Sequence, residues 1–354
     1  MFSGLPFGFL FIFTMIFGTI FSISSSHWLG IWAGLEINLI GFLPILVYQK
    51  SMSESESAVK YFIVQALGSS LLIFGSLMGC SISFSWENFV ESSMSLTVML
   101  VVSSGLLVKM GMFPFHYWLP SVMAGLPWIS CMLLATWQKI APLLLINSLF
   151  ELNLMYYFVL TICFMASASS LMGGIGGMNQ TQVRAILAYS SIGHLGWMMF
   201  ALTQGVWAMK IYLMIYILIS ICIFSNLWYS NLNNMKNLSM LMKSNDHQKT
   251  SIMLLLLSLG GLPPLLGFVS KWVVIASVID SKLWFFLMIL VTGSVMSLFY
   301  YLSLYFSVFL GFSKKFIMNL FVKEKNLNFV LNVGVMMNLL GGLSLIIINS
   351  MWQI

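Results

Sequence analysis

Apolar runs of about twenty residues follow one another from Leu5 to near the carboxyl end, parted only by short polar stretches. A helix needs about 20 mainly apolar residues to cross a bilayer. Within lipid, a single segment meets all its own backbone hydrogen bonds only as a helix. On that rule eleven spans are expected, at 5–24, 27–48, 58–78, 94–112, 128–148, 153–172, 181–203, 206–230, 251–279, 283–312 and 328–348. Only 7% of the residues are charged, against about 25% in soluble proteins. The fold class is therefore an all-α polytopic membrane protein, and the net charge of +6 concerns loops and orientation, not nucleic acid.

Loop charge tests that count. If the amino terminus and the even-numbered loops share one side, that side holds Lys50, Lys60, Arg184, Lys236, Lys243, Lys249, Lys314, Lys315, Lys323 and Lys325. The other side holds Lys210 and Lys282. Basic residues mark the cytoplasmic or matrix face, so the amino terminus is expected inside and the carboxyl terminus outside. No cleavable targeting segment is expected, the first span directing insertion itself.

The loops are too short for a soluble domain. Loop 49–59, with Glu54 and Glu56, reads as a solvated turn, and 79–93, with Glu87 and Glu91, as a surface feature. Those at 231–250 and 313–327 are polar and basic. The run GGIGGM at 173–178 superficially resembles a phosphate-binding loop, but no β-α-β unit surrounds it, so a tight inter-helix turn is expected. Cys80, Cys131, Cys163 and Cys222 never approach a C-x-x-C spacing, which leaves no recognisable zinc or iron–sulfur site.

Against this background the stretch 109–139, KMGMFPFHYWLPSVMAGLPWISCMLLATWQK, stands out. A lysine at bilayer depth costs roughly 2.5–3.5 kcal/mol on insertion scales, and here are two, Lys109 and Lys139. Pro114, Pro120 and Pro127 remove backbone donors and interrupt regular helix. Broken backbone at membrane depth survives only inside protein or beside a water-filled cavity. The ninth span repeats the theme: in LGGLPPLLGFVSKW, 259–272, Lys271 follows Pro263 and Pro264. Two interrupted helices in corresponding halves are the mark of an inverted-repeat transporter core, with spans 1–5 and 6–10 as the repeats and the eleventh appended. The expected organisation is one membrane domain over 1–354, divided into 1–150, 151–312 and 313–354.

Glu36 lies at the centre of the second span, near Asn38 and Pro44, and Lys139 at the centre of the fifth. Burial disfavours a charged ammonium, and a neighbouring carboxylate favours it. A Glu–Lys pair that can be parted is thus a proton switch, and from sequence Glu36 can meet Lys109, Lys139 or neither. His116, beside the first break, and His194, in the seventh span, titrate in the right range to relay protons. Tyr189, Ser190, Ser191 and Thr136 are candidates to hold water, although hydroxyls are also common glue between membrane helices.

Four motifs in order, KMGMFPFHYWLP at 109–120, WQKIAP at 137–142, AYSSIGHLGW at 188–197 and GGLPPLLGFVSKW at 260–272, are similar to the antiporter-like membrane subunits of mitochondrial proton-pumping NADH:ubiquinone oxidoreductase, respiratory complex I. Within that group they resemble the subunit 2 family. The likeness covers essentially the whole chain. It implies an antiporter-like fold with two inverted five-helix repeats, shortened to eleven helices. It further implies proton translocation driven by redox chemistry in other subunits. Glu36 falls on the family's buried glutamate, Lys109 on the lysine of the first broken helix, Lys139 on the central lysine and Lys271 on the distal one. In the family, Lys109 pairs with or parts from that glutamate, Lys139 links two half-channels, and Lys271 passes the proton on. The resemblance implies no cofactor or metal in this chain, with NAD, FMN, iron–sulfur clusters and ubiquinone in the wider complex. Implied partners are antiporter-like subunit 4, small subunit 4L, accessory subunits and lipids, in the mitochondrial inner membrane, with the amino terminus on the matrix side and the carboxyl terminus in the intermembrane space. One departure is Phe113, where the motif often has a small residue; a ring there narrows the path near His116. Two rival readings are a free-standing cation/proton antiporter, for which three lysines to one glutamate make a poor sodium site, and a structural membrane spacer.

Overall fold

The computed structural model describes residues 8–48, 51–83, 95–152, 156–230, 246–263, 265–279, 283–318, 335–336 and 338–342. Every element among them is helical: α1 (Gly8–Ser24), α2 (Trp28–Leu46), α3 (Met52–Ser83), α4 (Leu96–Met110), α5 (Trp118–Gly125), α6 (Trp128–Ala135), α7 (Trp137–Leu152), α8 (Tyr156–Met178), α9 (Val183–Gln204), α10 (Val206–Ser230), α11 (Asp246–Gly260), α12 (Leu266–Ser277) and α13 (Trp284–Met318). Seven stretches among the described residues are long and apolar enough to cross a membrane. They are 28–46, 52–81, 128–151, 156–178, 183–204, 206–229 and 284–309, while α1, α4, 250–260 and α12 are shorter apolar helices. Most of the final expected span, 328–348, lies outside the described residues, as do Glu87, Glu91 and Pro264.

Several sequence expectations are corrected. Loop 49–59 is not a solvated turn: helix α3 begins at Met52, Glu54 is buried there, and Glu56 is exposed and paired with Lys60 at 2.6 Å. The pairing is an ordinary i,i+4 contact on a helix surface. Residues 173–178 are not a turn either, but the last turns of α8. Their glycines serve close approach instead of chain reversal, since a methyl built on Gly173 would lie 2.7 Å from the Gly193 amide nitrogen of α9, and one on Gly174 2.8 Å from the Gly293 carbonyl of α13. Small residues that let backbones touch are the usual seam between membrane helices. The fifth expected span, 128–148, is present as the stretch 128–151, with a local turn at Thr136 between α6 and α7, three residues before Lys139. Finally, 246–250 and 313–318, expected in loops, belong to helices α11 and α13, while 231–245 and 319–327 lie outside the described residues.

The chain divides into two compact units, Met1–Met165 and Ala166–Ile354. In the first, α1 packs along α2 and α3 along α4, with α2, α5 and α7 closing on them. In the second, α9 is buried along most of its length and contacts α10, α12 and α13, while α11 packs on α10, α12 and α13. A helix enclosed by others in this way sits in the interior of a bundle.

Candidate functional site

Each unit contains a helix that stops inside the apolar region, and the two stops are built alike. Gly111 ends α4 with φ 76°, its N–H donating to the carbonyls of Leu107 (3.0 Å) and Val108 (3.2 Å), and the Met112 N–H also reaches Leu107 at 3.1 Å. Gly261 ends α11 with φ 79°, donating to Leu257 (3.1 Å) and Ser258 (3.0 Å), while the Leu262 N–H reaches Leu257 at 3.3 Å. This is a left-handed cap, which glycine adopts without a Cβ clash. Pro114 and Pro263 follow these glycines, and a proline has no amide hydrogen with which to continue the helix. Pro120 falls in the first turn of α5, where no intrahelical donor is needed.

In the first unit the free carbonyls at the end of α4 are met by side chains. The Trp118 indole donates to the Val108 carbonyl at 3.2 Å, and the Gln65 amide donates to the Lys109 carbonyl, also at 3.2 Å. No water is needed to satisfy these carbonyls at membrane depth. Lys109, on the last turn of α4, places Nζ 3.5 Å from Glu36 Oε1 of α2. The ammonium side chain is 4% exposed and the carboxylate 25%, so one partner is enclosed and the other opens to its surroundings. Of the pairings left open by the sequence, Glu36 with Lys109 is formed.

Lys139 is buried on α7. The residue before it, Gln138, exchanges two hydrogen bonds with Asn38 of α2: Asn38 Nδ2 donates to Gln138 Oε1 at 2.8 Å, and Gln138 Nε2 donates to Asn38 Oδ1 at 3.1 Å. The helix carrying Glu36 and the helix carrying Lys139 are thereby tied together two residues from the former and one from the latter. His116 is buried in the break between α4 and α5, its ring 6.0 Å from that of Phe113 and 4.1 Å from that of Tyr117. The Phe113 ring thus lies stacked beside the imidazole.

In the second unit Lys271 is buried on α12 and turns back across the break, donating from Nζ to the Gly260 carbonyl at the end of α11, 2.9 Å away. A cationic donor at a helix carboxyl end meets the negative pole of the helix dipole. Lys271 borders a cavity of about 10 Å³ that Ser170, Ser190, His194, Ser297 and Tyr301 also line, which is room for about one water. His194 Nδ1 lies 2.9 Å from the Tyr212 hydroxyl. Tyr189 is half-buried against Gly176. Among the described residues no group of three or more His, Cys, Asp or Glu is placed to hold a metal.

The sequence reading missed Gln138, Gln65, Tyr212 and Tyr301. Gln138 carried a signal, an amide beside a lysine in mid-span; the tyrosines carried none that separates them from interfacial aromatics.

The profile of the family described as NADH:quinone oxidoreductase/Mrp antiporter, transmembrane, matches residues 25–297. The chain belongs to that family. The NADH-ubiquinone oxidoreductase chain 2 of Anopheles gambiae is 42% identical over 305 residues, 85% of each protein. Its counterpart in Aedes aegypti is 38% identical over 352 residues, 98% of each. Among solved structures, a chain of respiratory complex I from Thermus thermophilus with bound aureothin superposes with a TM-score of 0.82 at 23% identity, covering 96% of this chain and 79% of that one. Both broken helices, with Lys109 and Lys271, fall inside the matched region, and so do Glu36 and Lys139.

Proposed function

We propose that this chain is a proton-translocating subunit of the membrane arm of NADH:ubiquinone oxidoreductase, multi-pass in the mitochondrial inner membrane. The single observation that carries the reading is the Lys109–Glu36 pair at 3.5 Å, beside a helix break within an apolar span. Charges at this depth are rare outside ion and proton pathways. Relatives 38–42% identical bear the name of that oxidoreductase.

In this reading Glu36 and Lys109 form the switch, Lys139 carries the proton onward, and Lys271 is the distal carrier. His116, His194, Tyr189 and Ser190 are relay groups. Eleven spans form two inverted five-helix repeats and a last helix, and the matching glycine caps at Gly111 and Gly261 support that symmetry. The amino terminus faces the matrix and the carboxyl terminus the intermembrane space, in accord with the ten-to-two distribution of basic residues. Antiporter-like subunit 4, small subunit 4L and accessory subunits flank the chain, and the redox cofactors reside elsewhere. Moving one charge against 100 mV costs about 2.3 kcal/mol, so the drive comes from redox chemistry in those other parts.

The test is to replace Lys139 by Met and Glu36 by Gln in the assembled enzyme, measuring protons moved per NADH oxidised. Both variants are expected to assemble and to pump less. Normal pumping in both would reject these roles, and a loss of assembly with intact pumping in what remains would favour a purely structural role.

A further inference from the structure

Helix α7 carries more polar chemistry than Lys139. At steps of four residues, Lys139, Leu143, Asn147 and Glu151 lie on one face. Asn147 Nδ2 donates to Glu151 Oε1 at 2.9 Å. Asn147 is 8% exposed, and its Oδ1 is buried without a hydrogen-bond partner among the described residues. Glu151 is exposed at the end of the helix.

Amides that merely glue membrane helices bond across to a neighbour, as Asn38 and Gln138 do. Asn147 bonds along its own helix, toward the end, and leaves a buried acceptor open. Leaving a buried acceptor unsatisfied costs roughly 1–3 kcal/mol, so the arrangement is not explained by packing. At about 1.5 Å rise per residue, Asn147 stands roughly 12 Å and Glu151 roughly 18 Å along the axis from Lys139. With Lys139 near the middle of a hydrocarbon layer about 30 Å thick, Glu151 reaches its edge and Asn147 is still inside. Between them, Leu143 is buried, and Pro142 has no amide hydrogen to give the Gln138 carbonyl.

We infer that Asn147 and Glu151 form the outer end of the proton route served by Lys139, Glu151 exchanging protons with the outer aqueous face and Asn147 holding water below it. This rests on the proposed function and adds two residues to it. The open Oδ1 accepts a hydrogen bond from water on the Lys139 side, while Nδ2 orients the carboxylate. A proton arriving along that water protonates Glu151, which then releases it outward and returns to the carboxylate.

The experiment uses the intact complex with Asn147→Leu, Glu151→Gln, Glu151→Asp and Lys139→Met, each checked for assembly, and reads protons moved per NADH oxidised. Asn147→Leu and Glu151→Gln are expected to lose pumping to an extent comparable with Lys139→Met, and Glu151→Asp to restore it. Normal ratios in Asn147→Leu and Glu151→Gln, with Lys139→Met impaired, would overturn this inference alone. Normal ratios in all, Lys139→Met included, would overturn the proposed function as well. A Glu151→Gln loss that Asp does not repair marks a packing defect and also overturns the route. Should the Glu151 variants fail to assemble, Asn147→Leu decides.

Discussion

Asn38 and Gln138 exchange both of their carboxamide hydrogen bonds, at 2.8 and 3.1 Å, across the contact between α2 and α7. Glu36 lies two residues from one end of that bridge and Lys139 one residue from the other. Asn38 is 4% exposed and Gln138 half-buried, so removing Gln138 strands a buried amide and removing Asn38 a partly buried one. Asn38→Leu or Gln138→Leu is expected to lower the stability of the assembled subunit by about 1–3 kcal/mol. The double Leu variant should cost less than the two singles added together, because no orphaned amide remains. Thermal denaturation of the four members of the cycle checks this, and strict additivity would show that the bridge contributes no coupling.

The Lys109–Glu36 pair is asymmetric in exposure, and the asymmetry sets an order of severity. Glu36→Gln leaves an enclosed ammonium without its counter-charge, whereas Lys109→Met leaves a carboxylate that is still a quarter exposed. Breaking a buried pair from one side costs about 3–5 kcal/mol, and the partial exposure of Glu36 puts this pair at the low end. Glu36→Gln is expected to be the more destabilising single change, with Glu36→Gln/Lys109→Met recovering part of the loss. Stability of the assembled complex measures it; equal costs would mean that the ammonium has other support.

Lys271 and Gly261 make a second testable contact. A methyl on Gly261 would sit 2.9 Å from Lys271 Nζ, and the residue holds φ 79°. Gly261→Ala therefore carries a left-handed backbone penalty of roughly 1–2 kcal/mol and pushes the amine off the Gly260 carbonyl. Gly111→Ala carries the same backbone penalty at φ 76° but meets Leu119 and Trp118 carbon atoms, not an amine. Both should lose stability, while Gly261→Ala alone should lower proton movement per NADH through Lys271. Equal pumping defects in the two would remove Lys271 from the explanation.

These residues show what a sequence does and does not display. Lys109, Lys139 and Lys271 were legible because a charge in an apolar run is conspicuous against its neighbours, and the breaks were legible because proline and glycine act locally. The Glu36 partner was not, since α2 and α4 are far apart in the chain and only packing brings them to 3.5 Å. Glu54 misled for a related reason: a serine-rich acidic stretch looks solvated, yet α3 continues through it and buries one face. The glycines at 173–178 were read as a turn because glycine permits turns. It also permits helix contact, and only the neighbouring backbones of α9 and α13 decide between the two uses.

The contact between α8 and α9 yields a contrast between two glycines, one aimed at the other's backbone and the other aimed at open space. Gly173 on α8 has no room: a methyl there meets the Gly193 nitrogen at 2.7 Å and the Tyr189 carbonyl, also at 2.7 Å. Gly193 on α9 has nothing within 4 Å of an added methyl, and it borders the cavity shared by Lys271 and His194. Gly173→Ala is expected to force the helices apart at about 1–3 kcal/mol. Gly193→Ala should leave stability unchanged or raise it by up to about 1 kcal/mol, alanine being the better helix former. Its methyl occupies space that otherwise has room for about one water, so proton movement per NADH is expected to fall in Gly193→Ala despite undiminished stability. Denaturation and pumping measured on the same preparations separate the two effects, and normal pumping in a stable Gly193→Ala enzyme would show that the space in this cavity plays no part in proton movement.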